Sequence, residues 1–190
     1  MTDIAIVYHS GYGHTKRMAE HVHTGVKAGG ATAHLLAIDE HGDLPEADWA
    51  KLHAAQAIIF GSPTYMGGAS WQFKKFADAS SKPWFGQAWK DKFAAGFTNS
   101  ASINGDKHST IHYFITLAMQ HSMAWIGTGM MPSNAKAATR DDQNYLGSSA
   151  GAMAQSPSDS SPDEMPKGDL ATAHAFGLRV ATFVIAHSKA

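Results

Sequence analysis

Ser10, Gly11, Tyr12, Gly13, His14 and Thr15 are the first residues of this chain with chemistry to offer. They lie between an apolar run, Ile4 to Tyr8, and a helical pattern that opens at Thr15. The first amides of a helix lack intrahelical acceptors, and the helix dipole adds positive character there. Hydroxyls and glycines at such a junction suit an anion. The P-loop pattern fails, because Gly11 and Gly13 are separated by one residue and Lys16 follows Thr15. The dinucleotide fingerprint G-x-G-x-x-G also fails, with Lys16 in place of its third glycine. A single terminal phosphate, held by hydrogen bonds rather than an ion pair, fits what remains. The plainer alternative is that Ser10 or Thr15 only caps the helix.

Two further loops bear on that choice. "GSPTYMGGAS" sets Pro63, Thr64, Tyr65, Met66 and Gly67 behind a second apolar run, pairing an aromatic and a thioether with backbone that a ligand can approach closely. "TNSASING" supplies Asn99, Ser100, Ala101, Ser102, Ile103, Asn104 and Gly105 behind a third. A phosphate site, an apolar slot and a polar rim in line describe a ligand with a phosphate tail and a flat polar ring. FMN has that shape.

The elements that must position these loops alternate. Ile4 to Tyr8, Thr32 to Ile38, Ala57 to Gly61, Phe93 to Thr98 and Met123 to Ile126 read as strands. Thr15 to Ala28, Glu46 to Ala54, Ser70 to Ala79, His108 to His121 and Asp169 to His187 read as helices. Such alternation predicts an α/β fold, a doubly wound five-stranded parallel sheet with helices on both faces. Ligands bind such sheets beyond the carboxyl ends of strands, where the winding reverses. The order 2-1-3-4-5 makes neighbours of the strands that carry the special loops, so a flavodoxin-like arrangement is expected.

The totals narrow the field. At 190 residues the chain reads as a single domain, 1–190, with a long irregular, proline-rich excursion at about 132–168. A formal net charge of −1 gives no basic stripe for nucleic acid and no acidic surplus for docking to a basic partner. Absence of cysteine excludes disulfides and thiolate chemistry. No basic leader or bilayer-length apolar run is read, so a cytoplasmic protein with no membrane partner is expected. His108 and His112 are four apart, but the glutamate of H-E-x-x-H is missing and no metal site is expected. A G-x-S-x-G nucleophile elbow is also absent.

The chain resembles the WrbA group of flavodoxin-like NAD(P)H:quinone oxidoreductases. The likeness runs through "IAIVYHSGYGHT", "AIIFGSPTYMGG", "KPWFG", "FTNSASINGD", "LAMQHSM" and the last helix. It implies that Ser10 to Thr15 hold the FMN phosphate, that Pro63 to Gly67 flank the ring, and that Asn99 to Gly105 meet the pyrimidine edge and ribityl chain. By the same resemblance His121 sits against the flavin, Trp84 walls the substrate pocket and Tyr12 meets the nicotinamide. NADH or NADPH would deliver a hydride by way of FMN to a quinone with ping-pong kinetics, in a homodimer or homotetramer. No side chain is assigned as a catalytic acid or base. The chain departs from the family at Tyr65-Met66, where an arginine and an aromatic are usual, and in a third loop with fewer glycines. A flavodoxin-type electron carrier and an NAD(P)H-dependent FMN reductase are the alternatives.

Overall fold

Ile4, Ala5, Ile6 and Val7 have no exposed surface, as a strand covered on both faces requires. They belong to β1 (Asp3–Tyr8) in the computed structural model, which describes residues 2–188. Met1, Lys189 and Ala190, at the ends of the expected 1–190 domain, lie outside the described residues.

α1 (His14–Ala28), β2 (Thr32–Ala37), α2 (Glu46–Ala54) and β3 (Ala57–Tyr65) follow in the expected order. A short strand β4 (Gly68–Ala69), α3 (Trp71–Ala79) and an unanticipated helical turn α4 (Ser81–Phe85) come next. β5 (Phe93–Ser100), α5 (Lys107–Gln120), β6 (Ala124–Trp125), β7 (Ala152–Gln155), a 3-10 turn (Pro162–Glu164) and α6 (Lys167–His187) complete the chain. The strand order is β2-β1-β3-β5-β6, with β4 pairing β3 antiparallel and β7 pairing β5 in parallel. The five expected strands therefore lie as anticipated relative to one another, but the sheet has two more strands than expected.

β7 corrects the reading of 132–168 as wholly irregular. β6 pairs with Phe93 and Ala94 at the start of β5, and β7 pairs with Phe97 to Ser100 at its end. One strand position is thus shared by two short segments, and the chain between them loops out and returns. Neither segment was conspicuous: "AW" is two residues long, and "AMAQ" has no β-branched residue. The same stretch also contains the 3-10 turn and the first two residues of α6.

Side-chain alternation sorts the core into two layers. Ile4, Ile6, Ile59 and Phe97 pack with Val22 and Val26 of α1 and with Phe176, Val180 and Val184 of α6. Ala5, Val7, Ile58 and Phe60 pack with Leu52, Phe73, Phe76, Ile111 and Phe114 from α2, α3 and α5. α1 and α6 approach so closely that a Cβ on Gly25 would strike the His174 carbonyl and one on Gly177 the Val22 carbonyl. Among the described residues α6 is the one helix long and apolar enough to cross a membrane. Here Ala173, Phe176, Val180, Ala181 and Val184 fill one layer of the core instead.

Candidate functional site

The carboxyl ends of β1, β3 and β5 converge on an open cleft of about 330 Å³. Tyr12, His14 and Thr15 line it from the β1–α1 junction, Pro63, Thr64 and Tyr65 from β3, and Asn99, Ser100 and Ala101 from β5. The three loops singled out in the sequence do meet. The fourth wall, Ser156, Pro157 and Ser158 just after β7, was not anticipated.

The first loop is built around Ser10. Its Oγ accepts the Gly13 and Lys16 amides, each at 3.1 Å, so the side chain caps the turn into α1 from within. Two amides occupy the oxygen's lone pairs and leave its proton free to donate. Gly13 enters the helix at φ 91°, a left-handed conformation, and a Cβ there would lie 2.7 Å from Pro162 Cγ. His14 and Thr15 begin the helix, where amides lack intrahelical acceptors. The first turn contains no acidic residue, and His14, Lys16 and Arg17 occupy it. The Lys16 and Arg17 charges add to the positive end of the helix dipole, a setting that favours an anion.

Tyr65 crosses from β3 towards this loop. Its hydroxyl stands 2.5 Å from where a Cβ on Gly11 would be, and its ring meets Tyr12 edge to face at 6.2 Å. Burial raises the phenol pKa above its ordinary value, with a smaller push from Tyr12, so the group stays a hydrogen-bond donor at neutral pH. Met66 and Gly67 form the two-residue turn of the β3–β4 hairpin, both at positive φ (47° and 75°). Met66 is fully exposed and outside the cleft lining, so the apolar slot expected of Tyr65-Met66 falls to Tyr65 with Pro63.

Beneath the cleft floor runs a buried hydroxyl chain. Thr98 Oγ1 donates to the Ser62 carbonyl at 2.7 Å, so it accepts from Thr64 Oγ1 at 2.8 Å. Thr64 in turn accepts from Thr110 Oγ1 at 2.8 Å, because each hydroxyl has one proton. The chain ties β3, β5 and α5 together. Asn99 Oδ1 accepts from Ser156 Oγ at 3.1 Å, which fixes the fourth wall against the third loop. Pro63, Thr64, Tyr65, Asn99 and Ser100 lie on extended strand ends rather than in loops. The third loop then divides: Ala101 faces the cleft, while Ile103 and Asn104 line a separate cavity with His108 and Tyr145. Ser102 and Gly105 line neither.

The segment after β7 closes over the first loop. His14 Nε2 donates to the Ser160 carbonyl at 2.9 Å. The 3-10 turn that follows begins with a capping box, in which the Ser161 amide donates to Glu164 Oε2 at 2.7 Å. That Ser-x-x-Glu signature was the one signal in the sequence that could have placed an ordered turn here.

His121 and Trp84 are not brought to this cleft within one chain. They share another cavity of about 290 Å³, at the carboxyl ends of α3 and α5 and hence at the amino ends of the strands. Ser80 Oγ donates to the Ala77 carbonyl at 2.6 Å and accepts from His121 Nε2 at 2.9 Å. The imidazole packs on Trp89 with centroids 4.3 Å apart, and burial pulls its pKa down to about 4. Trp84 Nε1 donates to the Gln120 carbonyl at 2.9 Å.

A doubly wound sheet whose first strand feeds an anion-ready helix, beside a shallow cleft for a flat ring, is the architecture of flavodoxin-like FMN-binding oxidoreductases. The pattern of the NADPH-dependent FMN reductase family matches residues 4–137, and the chain belongs to that family. It is 51% identical over 181 residues to flavodoxin FldP of Pseudomonas aeruginosa, covering 95% of this chain and 96% of that one. An NAD(P)H dehydrogenase (quinone) of Geobacter sulfurreducens is 34% identical over 169 residues, covering 79% of this chain and 82% of that one. A flavodoxin, WrbA-like protein from Agrobacterium tumefaciens has a crystal structure similar to this one, with a TM-score of 0.80 at 50% identity. The match covers 98% of this chain and 99% of that one.

Proposed function

We propose that the protein is a cytoplasmic FMN-dependent NAD(P)H:quinone oxidoreductase that works from the cleft at the carboxyl ends of β1, β3 and β5. The observation that supports it is the aromatic pair at the cleft mouth: Tyr12 is 78% exposed and Tyr65 39% exposed, directly beside the anion-ready loop. Exposed aromatic faces suit flat rings that arrive and leave, as a nicotinamide and a quinone must.

The residues fit FMN. The His14 and Thr15 amides and the Ser10 proton would hold the phosphate, with no acidic residue in the first turn of α1 to repel it. Pro63 and Tyr65 would flank the ring, and Asn99, Ser100 and Ala101 would meet its polar edge, with Ser156 to Ser158 opposite. When bound, FMN supplies the redox chemistry, accepting a hydride from the nicotinamide and passing the electrons to the acceptor. The chain's task is to bind, orient and shield; its hydroxyls and amides need no charged acid or base. One mouth serves both substrates, so the kinetics should be ping-pong. His121 and Trp84 would reach that mouth only from a second copy, which a homodimer or homotetramer supplies.

A flavodoxin-type electron carrier is the second reading, favoured by the name of the 51% identical relative. Steering by charge, on which such carriers depend, finds little support in a net charge of −1. The deciding experiment is a visible spectrum of the FMN-loaded protein under argon, with NADH or NADPH added and then benzoquinone. Bleaching by the nicotinamide and rapid recovery on quinone support the oxidoreductase. A flavin that stays yellow for many minutes under NADH and NADPH supports the carrier.

A further inference from the structure

Lys107 opens α5 and is only 2% exposed. Both facts are unfavourable for a cation. Burial removes its hydration, and the amino end of a helix already carries positive charge. Among the described residues no carboxylate pairs with it directly. Its Nζ instead donates to Ser100 Oγ at 2.8 Å, the Ser102 carbonyl at 2.9 Å and the Ile103 carbonyl at 2.6 Å. All three protons therefore go to the loop whose start, Ser100 and Ala101, lines the cleft. Asp169 on α6 is the acid whose charge acts on Lys107, but its Oδ2 already takes Arg140 Nη2 at 2.6 Å and the Gln155 amide at 2.8 Å.

A neutral amide could tie down a loop without these costs. A cation held by neutral dipoles retains its field, which extends into the cleft it backs. We propose that Lys107 is a positioning residue that holds Ser100 to Ile103 in the shape that receives FMN and sets a fixed positive charge behind that wall, favouring the negative charge the ring gains on accepting a hydride. The inference rests on the flavin reading of the cleft. Burial also lowers the Lys107 pKa to about 8, with Asp169 opposing the shift and Arg140 adding to it. The ammonium thus persists at neutral pH and is lost just above it. Asp169 acts on Lys107 from α6 and Arg140 from the chain between β6 and β7. His108 on α5 and Tyr145 line the same side cavity.

The test uses the full chain, stripped of flavin and titrated with FMN, comparing wild type with Lys107→Met, which keeps the length and removes donors and charge. FMN fluorescence gives the dissociation constant, and dye-coupled reduction gives the midpoint potential. Lys107→Met should bind oxidised FMN about tenfold more weakly, the scale of a lost charge-assisted hydrogen bond. Reduced FMN should lose a further factor of about ten, which is about 30 mV in a two-electron midpoint. Equal affinity and equal potential in the two proteins would overturn the role of Lys107 while the cleft remained a flavin site. Failure of wild type to bind FMN would overturn both. If Lys107→Met does not fold, the wild-type potential measured from pH 6.5 to 9.5 decides. A break near pH 8 absent from free FMN supports the proposal, and a slope parallel to free FMN refutes it.

Discussion

The His14 imidazole donates to the Ser160 carbonyl at 2.9 Å across 146 positions of sequence. This hydrogen bond, with Pro162 packed over Gly13, joins the segment after β7 to the loop that opens α1. One side of the cleft is thereby a strap, held at Asn99 by Ser156 and at His14 by Ser160. Replacing His14 with alanine should release one end while leaving the sheet intact. A neutral hydrogen bond contributes about 1 kcal/mol, so FMN affinity should fall about fivefold. Stopped-flow release of FMN would show it as a faster off-rate; an unchanged off-rate would mean the strap does not retain the ligand.

Ser10 should behave differently, because its Oγ serves the loop itself. Ser10→Ala leaves the Gly13 and Lys16 amides without their acceptor. Loss of the acceptor that these amides share costs about 1 kcal/mol, so the flavin-free protein should unfold at lower urea. Excess FMN should not restore the difference, since the variant loses a ligand contact as well. Urea melts with and without FMN measure both effects. Equal midpoints for wild type and variant without ligand would show that the cap contributes nothing.

Tyr12→Ala tests the proposed substrate contact apart from the cofactor. With 78% of its surface exposed, Tyr12 contributes little to stability, and Tyr12→Ala should leave the unfolding free energy within about 0.5 kcal/mol of wild type. An aromatic contact is worth about 0.5–1.5 kcal/mol, so the KM for nicotinamide should rise about threefold to tenfold. Steady-state rates at several NADH and NADPH concentrations would check this. A fall in kcat at constant KM would place Tyr12 elsewhere in the cycle.

Much of this arrangement was legible because local and global signals agree. The apolar runs at Ile4, Ala57 and Phe93 end in loops of glycine and hydroxyl residues, and their parallel pairing follows from the helices between them. The strap was not legible, since Ser156 to Ser160 owe their place to a pairing of "AMAQ" with β5 that no local pattern announces. The direction of Met66 was not legible either. Its position in a tight hairpin turn, rather than its hydrophobicity, sends it into solvent. His121 and Trp84 have types that suit a flavin site, but topology places them at the opposite end of the sheet. Chain geometry outweighs residue chemistry there.

His121 also makes stability depend on pH. Burial disfavours the charged ring and pulls its pKa from the ordinary 6.5 down to about 4. Between these values the unfolded chain binds a proton that the folded protein refuses, so stability rises with pH across this window. The full contribution is present above about pH 6.5 and declines as the pH falls towards 4. From pH 7 to pH 5 the loss from this one group should be about 2 kcal/mol. His9, whose pKa is also lowered by burial, adds in the same direction. His121→Gln can still donate towards Ser80 but cannot titrate, so its urea midpoint should change less between pH 7 and pH 5 than that of wild type. If both proteins lose the same stability, the acid sensitivity arises elsewhere and the imidazole accepts its proton without disturbing the Ser80 and Trp89 contacts.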